Sequence, residues 1–132
     1  MKKSIGAVCV FLWLAAFAAS AVAEETAKFN SRVVAAGLAD PWEVALGPDG
    51  YLWITERTGK RITRIHPETG EKLVALTIPE VHQDVAQDGL LGMVLHPQLL
   101  KGRGQNNYVY IFFTYEKTPQ PNLVRAGKLR RY

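Results

Sequence analysis

Short β-branched and aromatic runs are separated by Gly, Pro and Asp turns, no long stretch has helical period, and a strand pattern returns at an offset of 49 residues. Together these three observations predict an all-β fold. A unit of four antiparallel strands that recurs about every 40 to 50 residues is the pattern of β-propeller blades, of which this chain holds about two. The same pattern admits a two-sheet sandwich whose hairpins happen to resemble each other.

The first element is not part of that fold. Lys2 and Lys3 precede an apolar run from Ile5 to Ala19, and Ala21-Val22-Ala23 supplies a small-x-small cleavage site just before Glu24 and Glu25. Residues 1–23 therefore read as a secretory signal peptide and 24–132 as the mature, propeller-forming part. The run barely reaches bilayer length and ends in Ala and Ser, so no membrane span is expected after cleavage. The mature 109 residues carry 14 Lys and Arg against 12 Asp and Glu. A charge of +2 on an exported chain argues against a nucleic-acid partner. The single Cys, Cys9, lies in the signal, which removes disulfides, Cys-ligated zinc and thiol catalysis.

The mature elements follow in order. Arg32 to Leu38 is an apolar piece ended by Ala39-Asp40-Pro41. Trp42 to Leu46 alternates, and Gly47-Pro48-Asp49-Gly50 turns the chain into Tyr51 to Thr55, a strand apolar enough to be covered on both faces. Thr58-Gly59-Lys60 leads to a more exposed strand, Arg61 to Ile65. His66-Pro67-Glu68-Thr69-Gly70 turns again, into Leu73 to Ile78. The second half repeats the order. Leu91 to Pro97 aligns with Trp42 to Pro48, Tyr108 to Glu116 with Tyr51 to Glu56, and Asn122 to Tyr132 with the Arg61 strand. A Gly- and Asn-rich excursion before Tyr108 is a surface loop. A propeller needs about four blades or more to close, and Leu129 to Tyr132 is a strand without a following turn, so the chain reads as the N-terminal, incomplete part of a longer propeller.

Chemistry-bearing patterns are few. Ser31 is the only serine of the mature chain, and no nucleophile elbow, phosphate loop or paired His at metal spacing occurs. His66 and His96 each precede a Pro, which suits turn residues. His82 sits in the polar stretch His82-Gln83-Asp84-Val85-Ala86-Gln87-Asp88-Gly89 that joins one unit to the next. Such connections lie at an end of a propeller's central channel, where Gln87 can offer donor and acceptor to a carbonyl or a sugar hydroxyl. Equally, Gln87-Asp88-Gly89 reads as a turn in which Asp88 bonds nearby backbone amides. Glu56-Arg57 reads as a rim ion pair, and Arg125, Lys128, Arg130 and Arg131 as a solvated basic edge. Tyr108, Tyr110, Phe112, Phe113 and Tyr115 read as blade packing.

Pro41-Trp42-Glu43-Val44-Ala45-Leu46-Gly47-Pro48-Asp49-Gly50, Leu52-Trp53-Ile54-Thr55-Glu56-Arg57, Thr58-Gly59-Lys60, Arg64 to Gly70 and Gln87-Asp88-Gly89-Leu90-Leu91-Gly92-Met93-Val94-Leu95-His96-Pro97 together resemble the N-terminal part of the soluble quinoprotein glucose and aldose sugar dehydrogenases (glucose/sorbosone dehydrogenase-like). The resemblance implies a six-bladed propeller in the periplasm that oxidises aldose sugars at C1 to lactones, with pyrroloquinoline quinone (PQQ) and calcium on its axis and an external electron acceptor. It also implies that a His takes the anomeric hydroxyl proton while hydride passes to the quinone and calcium polarises it. Gln87 matches the family's active-site glutamine, near sugar and quinone carbonyls, and Asp88 is the weaker second candidate. None of His66, His82 and His96 matches the catalytic His, so this stretch offers no catalytic residue and no metal ligand, and the PQQ and calcium ligands are expected beyond Tyr132. A homodimer of the full-length protein stays open, and the 132 residues alone are expected to be inactive. The alternatives are a non-catalytic exported propeller that binds a protein or glycan, and a lactone-directed hydrolase, for which no acidic ligand set is present.

Overall fold

The computed structural model describes residues 27–102, 106–118 and 121–132. The expected signal peptide, 1–23, lies outside them, as do parts of the Gly-rich excursion and of the Thr118-Pro119-Gln120-Pro121 turn. The described residues form seven strands and no helix: β1 (Pro41–Leu46), β2 (Leu52–Glu56), β3 (Arg61–Ile65), β4 (Lys72–Thr77), β5 (Leu90–Leu95), β6 (Val109–Thr118) and β7 (Val124–Arg131). They make two antiparallel meanders, β1-β2-β3-β4 and β5-β6-β7. Accordingly, no described helix is long and apolar enough to cross a membrane.

The turns are formed by the residues that announced them. Gly50 takes φ 77°, open to glycine because no Cβ collides there, and Gly47 N donates to Tyr51 O at 2.7 Å to close the β1–β2 hairpin. Asp49 accepts from Tyr51 N at 3.3 Å, from Trp53 Nε1 at 3.0 Å and from Arg64. Burial of Asp49 acts to raise its pKa, but the bonds from Trp53, Tyr51 and Arg64 outweigh it and hold the carboxyl below the usual range. The Arg64 guanidinium lies 4.6 Å from the Tyr51 ring centre, so strand, turn and cation lock together. His66 and His96 are turn residues: His96 Nδ1 accepts from Gln98 N at 3.1 Å, and His66 Nδ1 from Glu68 N at 3.2 Å.

One face of each sheet meets the other through a shared apolar cluster. Trp53 and Ile62 come from the first sheet, Leu90, Met93, Ile111 and Phe113 from the second, and Ile78 and Val81 from the connection between them. Each fully buried Ile, Leu or Phe contributes about 1.5–3 kcal/mol, which makes this cluster the main tie between the sheets. Polar ties cross as well. Thr55 Oγ1 donates to Leu91 O at 2.8 Å while accepting from Glu43 N at 3.0 Å, so β1, β2 and β5 are pinned around one hydroxyl.

Two sequence expectations are corrected here. Arg61–Ile65 is not a more exposed strand: Ile62, Thr63 and Ile65 are 0%, 2% and 1% exposed. Ile62 is covered by the second sheet, and the other face of β3 by the segment before β1, which forms no strand but lies along the outer side of β2 and β3. Arg32 Nη2 donates to Pro67 O at 2.7 Å, Lys72 Nζ to Ala36 O at 2.8 Å, and Ala39 N to Glu56 Oε2 at 2.7 Å. Nor do Glu56 and Arg57 form a rim pair. Glu56 is wholly buried and accepts from Arg61 Nε at 2.8 Å, Arg61 Nη2 at 2.9 Å, Thr63 Oγ1 and Ala39 N. Successive strand residues point to opposite faces, so Arg57 turns away to other partners. Burial alone would raise the Glu56 pKa; the bonds from Arg61, Thr63 and Ala39 reverse this and hold it at about 2.

Candidate functional site

The site is the connection from β4 to β5, which carries Gln87 and Asp88. Both of its ends are tied to one residue of β6: His82 N donates to Thr114 O at 2.8 Å, Thr114 Oγ1 to His82 O at 2.7 Å, and Gly89 N to Thr114 Oγ1 at 2.8 Å. An isolated bridge between Val81 and Tyr115 continues the contact. The segment between these ends is thereby folded into a short loop instead of straying across the surface.

At the tip, Asp88 N donates to Val85 O at 2.9 Å, closing a turn whose central residues are Ala86 and Gln87. Gln87 is exposed there, and its amide takes no partner among the described residues. Asp88, next to it, is 7% exposed. Its Oδ2 accepts from Arg125 Nη1 at 2.8 Å and, at 3.4 Å, from Val85 N. Burial pushes the Asp88 pKa up; the Arg125 hydrogen bond, the Val85 amide and the Arg125 and His82 charges bring it below the usual carboxylate range. Asp88 is thus an ionised lock between the turn and β7.

The other side of the turn is held from the first sheet. Arg57, just past β2, donates from Nη1 to Ala86 O at 2.7 Å and to Asp88 O at 3.1 Å, the carbonyls of the two residues that flank Gln87. Its Nη2 donates to Asp40 Oδ2 at 3.2 Å, and its own carbonyl accepts from Leu90 N at 3.1 Å. The close approach needs Gly89, with φ 133°: a Cβ there would stand 2.6 Å from the Arg57 carbonyl oxygen. Sequence reading singled out Gln87 and Asp88 but missed Arg57, Asp40 and Arg125. Strand alternation was the available signal, since it forbids the Glu56-Arg57 pairing and leaves Arg57 in need of another partner.

His82 lines an open cleft of about 560 Å³ beside the connection, together with Lys60, Glu80 and Lys128, and its Nε2 is buried without a hydrogen-bond partner. The Arg125–Arg131 edge is paired more than sequence suggested. Lys128 Nζ bonds Glu80 at 2.7 Å and lies 3.9 Å from the Tyr115 ring centre, Arg130 also reaches Glu80, and Arg131 lies 4.3 Å from the Tyr108 ring centre. Among the described residues no three His, Cys, Asp or Glu side chains gather as a metal ion would require. The arrangement therefore offers one exposed polar amide on a turn held from both sheets.

Comparison with known proteins supplies the context. Residues 38–131 match the glucose/sorbosone dehydrogenase family. Over 107 residues, 79% of this chain and 22% of the relative, the sequence is 34% identical to quinoprotein glucose dehydrogenase B of Acinetobacter calcoaceticus. Over 99 residues, 70% of this chain and 23% of the relative, it is 36% identical to an uncharacterized protein of Synechocystis. The fold superposes with a TM-score of 0.59 and 31% identity on the PQQ-bound aldose sugar dehydrogenase of Streptomyces coelicolor, covering 76% of this chain and 26% of that one. The chain thus spans about a quarter of the length of the proteins it matches, and its two meanders are β-propeller blades.

Proposed function

The chain belongs to the glucose/sorbosone dehydrogenase family, and from that premise we propose that it supplies two blades, and one active-site side chain, of a PQQ-dependent dehydrogenase that oxidises aldose sugars at C1. The carrying observation is the exposed Gln87 amide on a turn tied to both sheets, just ahead of β5. An amide held there can accept from a sugar hydroxyl and donate to a carbonyl, a positioning role that lowers the entropic part of a barrier.

PQQ, when bound, supplies a hydride acceptor. Residues described here do not by themselves fit either PQQ or calcium: Asp88 is committed to Arg125, and no ligand cluster forms. We therefore place the ligands of both, and the catalytic base, on other residues, and assign no step to His66, His82 or His96. Electrons would leave to an external acceptor. Export to the periplasm is part of the proposal and rests on Lys2, Lys3, the apolar run and Ala21-Val22-Ala23.

The test is a hybrid in which residues 38–131 replace the matching stretch of the Acinetobacter relative. Loaded with PQQ and calcium, the hybrid is expected to reduce a dye with glucose as donor, and Gln87→Ala to lower kcat about tenfold or more without lowering Tm. A folded hybrid that takes up no PQQ would sink the proposal, and unchanged kinetics in Gln87→Ala would return Gln87 to a plain turn residue. The 132-residue chain alone is expected to turn over no sugar; dye reduction by it would contradict the assignment of the remaining machinery to other residues.

A further inference from the structure

We propose that Arg57 is a positioning residue for Gln87, a role that rests on the Gln87 reading above. A turn tip has two soft motions that would move its side chain: rotation of the peptide before Gln87 and rotation of the peptide after it. The peptide before Gln87 presents Ala86 O, the peptide after it is held through Asp88 N, which donates to Val85 O at 2.9 Å, and the next peptide presents Asp88 O. Ala86 O and Asp88 O both accept from the same nitrogen, Arg57 Nη1, at 2.7 and 3.1 Å. Nη1 carries two hydrogens, so each carbonyl is satisfied separately. The guanidinium is itself fixed. Its Nη2 bonds Asp40, and its side chain is only 15% exposed, so solvent competes weakly for these bonds. The backbone of the same residue receives Leu90 N, directly after Gly89.

The clamp comes from the first sheet while the turn is anchored on the second through Thr114 and Arg125. Gln87 is thereby referenced to both sheets at once, and any shift between β2 and β5 would be felt at its amide. A planar fork can hold two carbonyls and a carboxylate together; a lysine, one flexible point charge, can hold only part of that set.

The chain itself gives the first test. In Arg57→Ala the Asp88 and Gly89 amides are expected to exchange about tenfold faster or more. The order parameter of the Gln87 amide is expected to fall from about 0.85 to below about 0.6. Ile62 and Ile111 should keep their protection, and Arg57→Lys should restore part of the order. Unchanged exchange and order at residues 87–89 would overturn the clamp whatever the function of the protein. The second test uses the PQQ-loaded hybrid. Arg57→Ala and Gln87→Ala should each lower kcat more than they change KM, and the double variant should be no slower than the slower single one. Additive losses would show that Arg57 only supports the fold. Unchanged turnover in Gln87→Ala would remove the catalytic meaning of the clamp, an outcome told apart from failure of the clamp itself by the exchange data.

Discussion

The first sheet and the second share a strand plan and an inter-sheet cluster, yet their outer faces differ. Behind β2 and β3 the segment 32–40 closes the surface, and Ile54 and Ile65 are 8% and 1% exposed. On the second sheet the face turned away from the first is bare, with Val94 65%, Phe112 43% and Leu129 70% exposed. On the first sheet a buried carboxylate, Glu56, draws Ala39 N, Arg61 and Thr63 to itself and fastens the covering segment.

Removing that latch should break the comparison most severely. Glu56→Ala leaves the Ala39 amide, Thr63 and Arg61 without their acceptor and is expected to cost about 3–5 kcal/mol, read from urea unfolding. A loss below about 1 kcal/mol would mean that the segment is held by its other contacts. Gly89→Ala acts on the joint between the sheets. Its Cβ would meet the Arg57 carbonyl at 2.6 Å from a φ of 133°, and about 2–3 kcal/mol of stability should be lost. A Tm equal to that of the wild type would show that the joint can open without penalty.

Acid should act on the first sheet through Glu56. The Glu56 carboxyl is at about 2 in the fold against an ordinary 4.5, so its contribution is fully present above about pH 4.5 and is lost as pH falls through about 2. Allowing for solvent at the half-exposed Arg61, the loss is about 2 kcal/mol. Unfolding curves from pH 7 to 2 should show this slope, and Glu56→Gln should flatten it; an identical slope in that variant would assign the acid response to other groups. The smallest effect belongs to the bare face. Leu129→Ser should change stability by no more than about 0.5 kcal/mol, whereas Ile65→Ser, on the covered face, should be strongly destabilising. Equal effects at the two positions would abolish the distinction between the sheets.

Most of the strand order was legible from sequence, because alternation, turn residues and the repeat are local signals. The structure moves the bounds by a residue or two, as with β2 at Leu52–Glu56 and β7 at Val124–Arg131. The Gly47–Gly50 hairpin and the His-Pro turns formed where their residues announced them. At the candidate site, Gln87 and Asp88 were legible through the polar stretch that carries them. The clamp was not: Arg57 reaches Ala86 and Asp88 across separations of 29 and 31 residues, and no local pattern encodes such a contact. The exposure assigned to β3 failed for a similar reason, since its cover comes from the second sheet on one face and from a segment with no strand pattern of its own on the other.

The sequence by itself determined the all-β class, the repeated meander and the turn that carries Gln87, because each follows from residue type, spacing or local turn chemistry. Only the tertiary structure decided that Glu56 pairs with Arg61 and not with its neighbour Arg57, that Asp88 is held by Arg125, and that one guanidinium grips both sides of Gln87. Those choices depend on which strand face a side chain takes and on which distant segment arrives there, and both are set by packing the two sheets together.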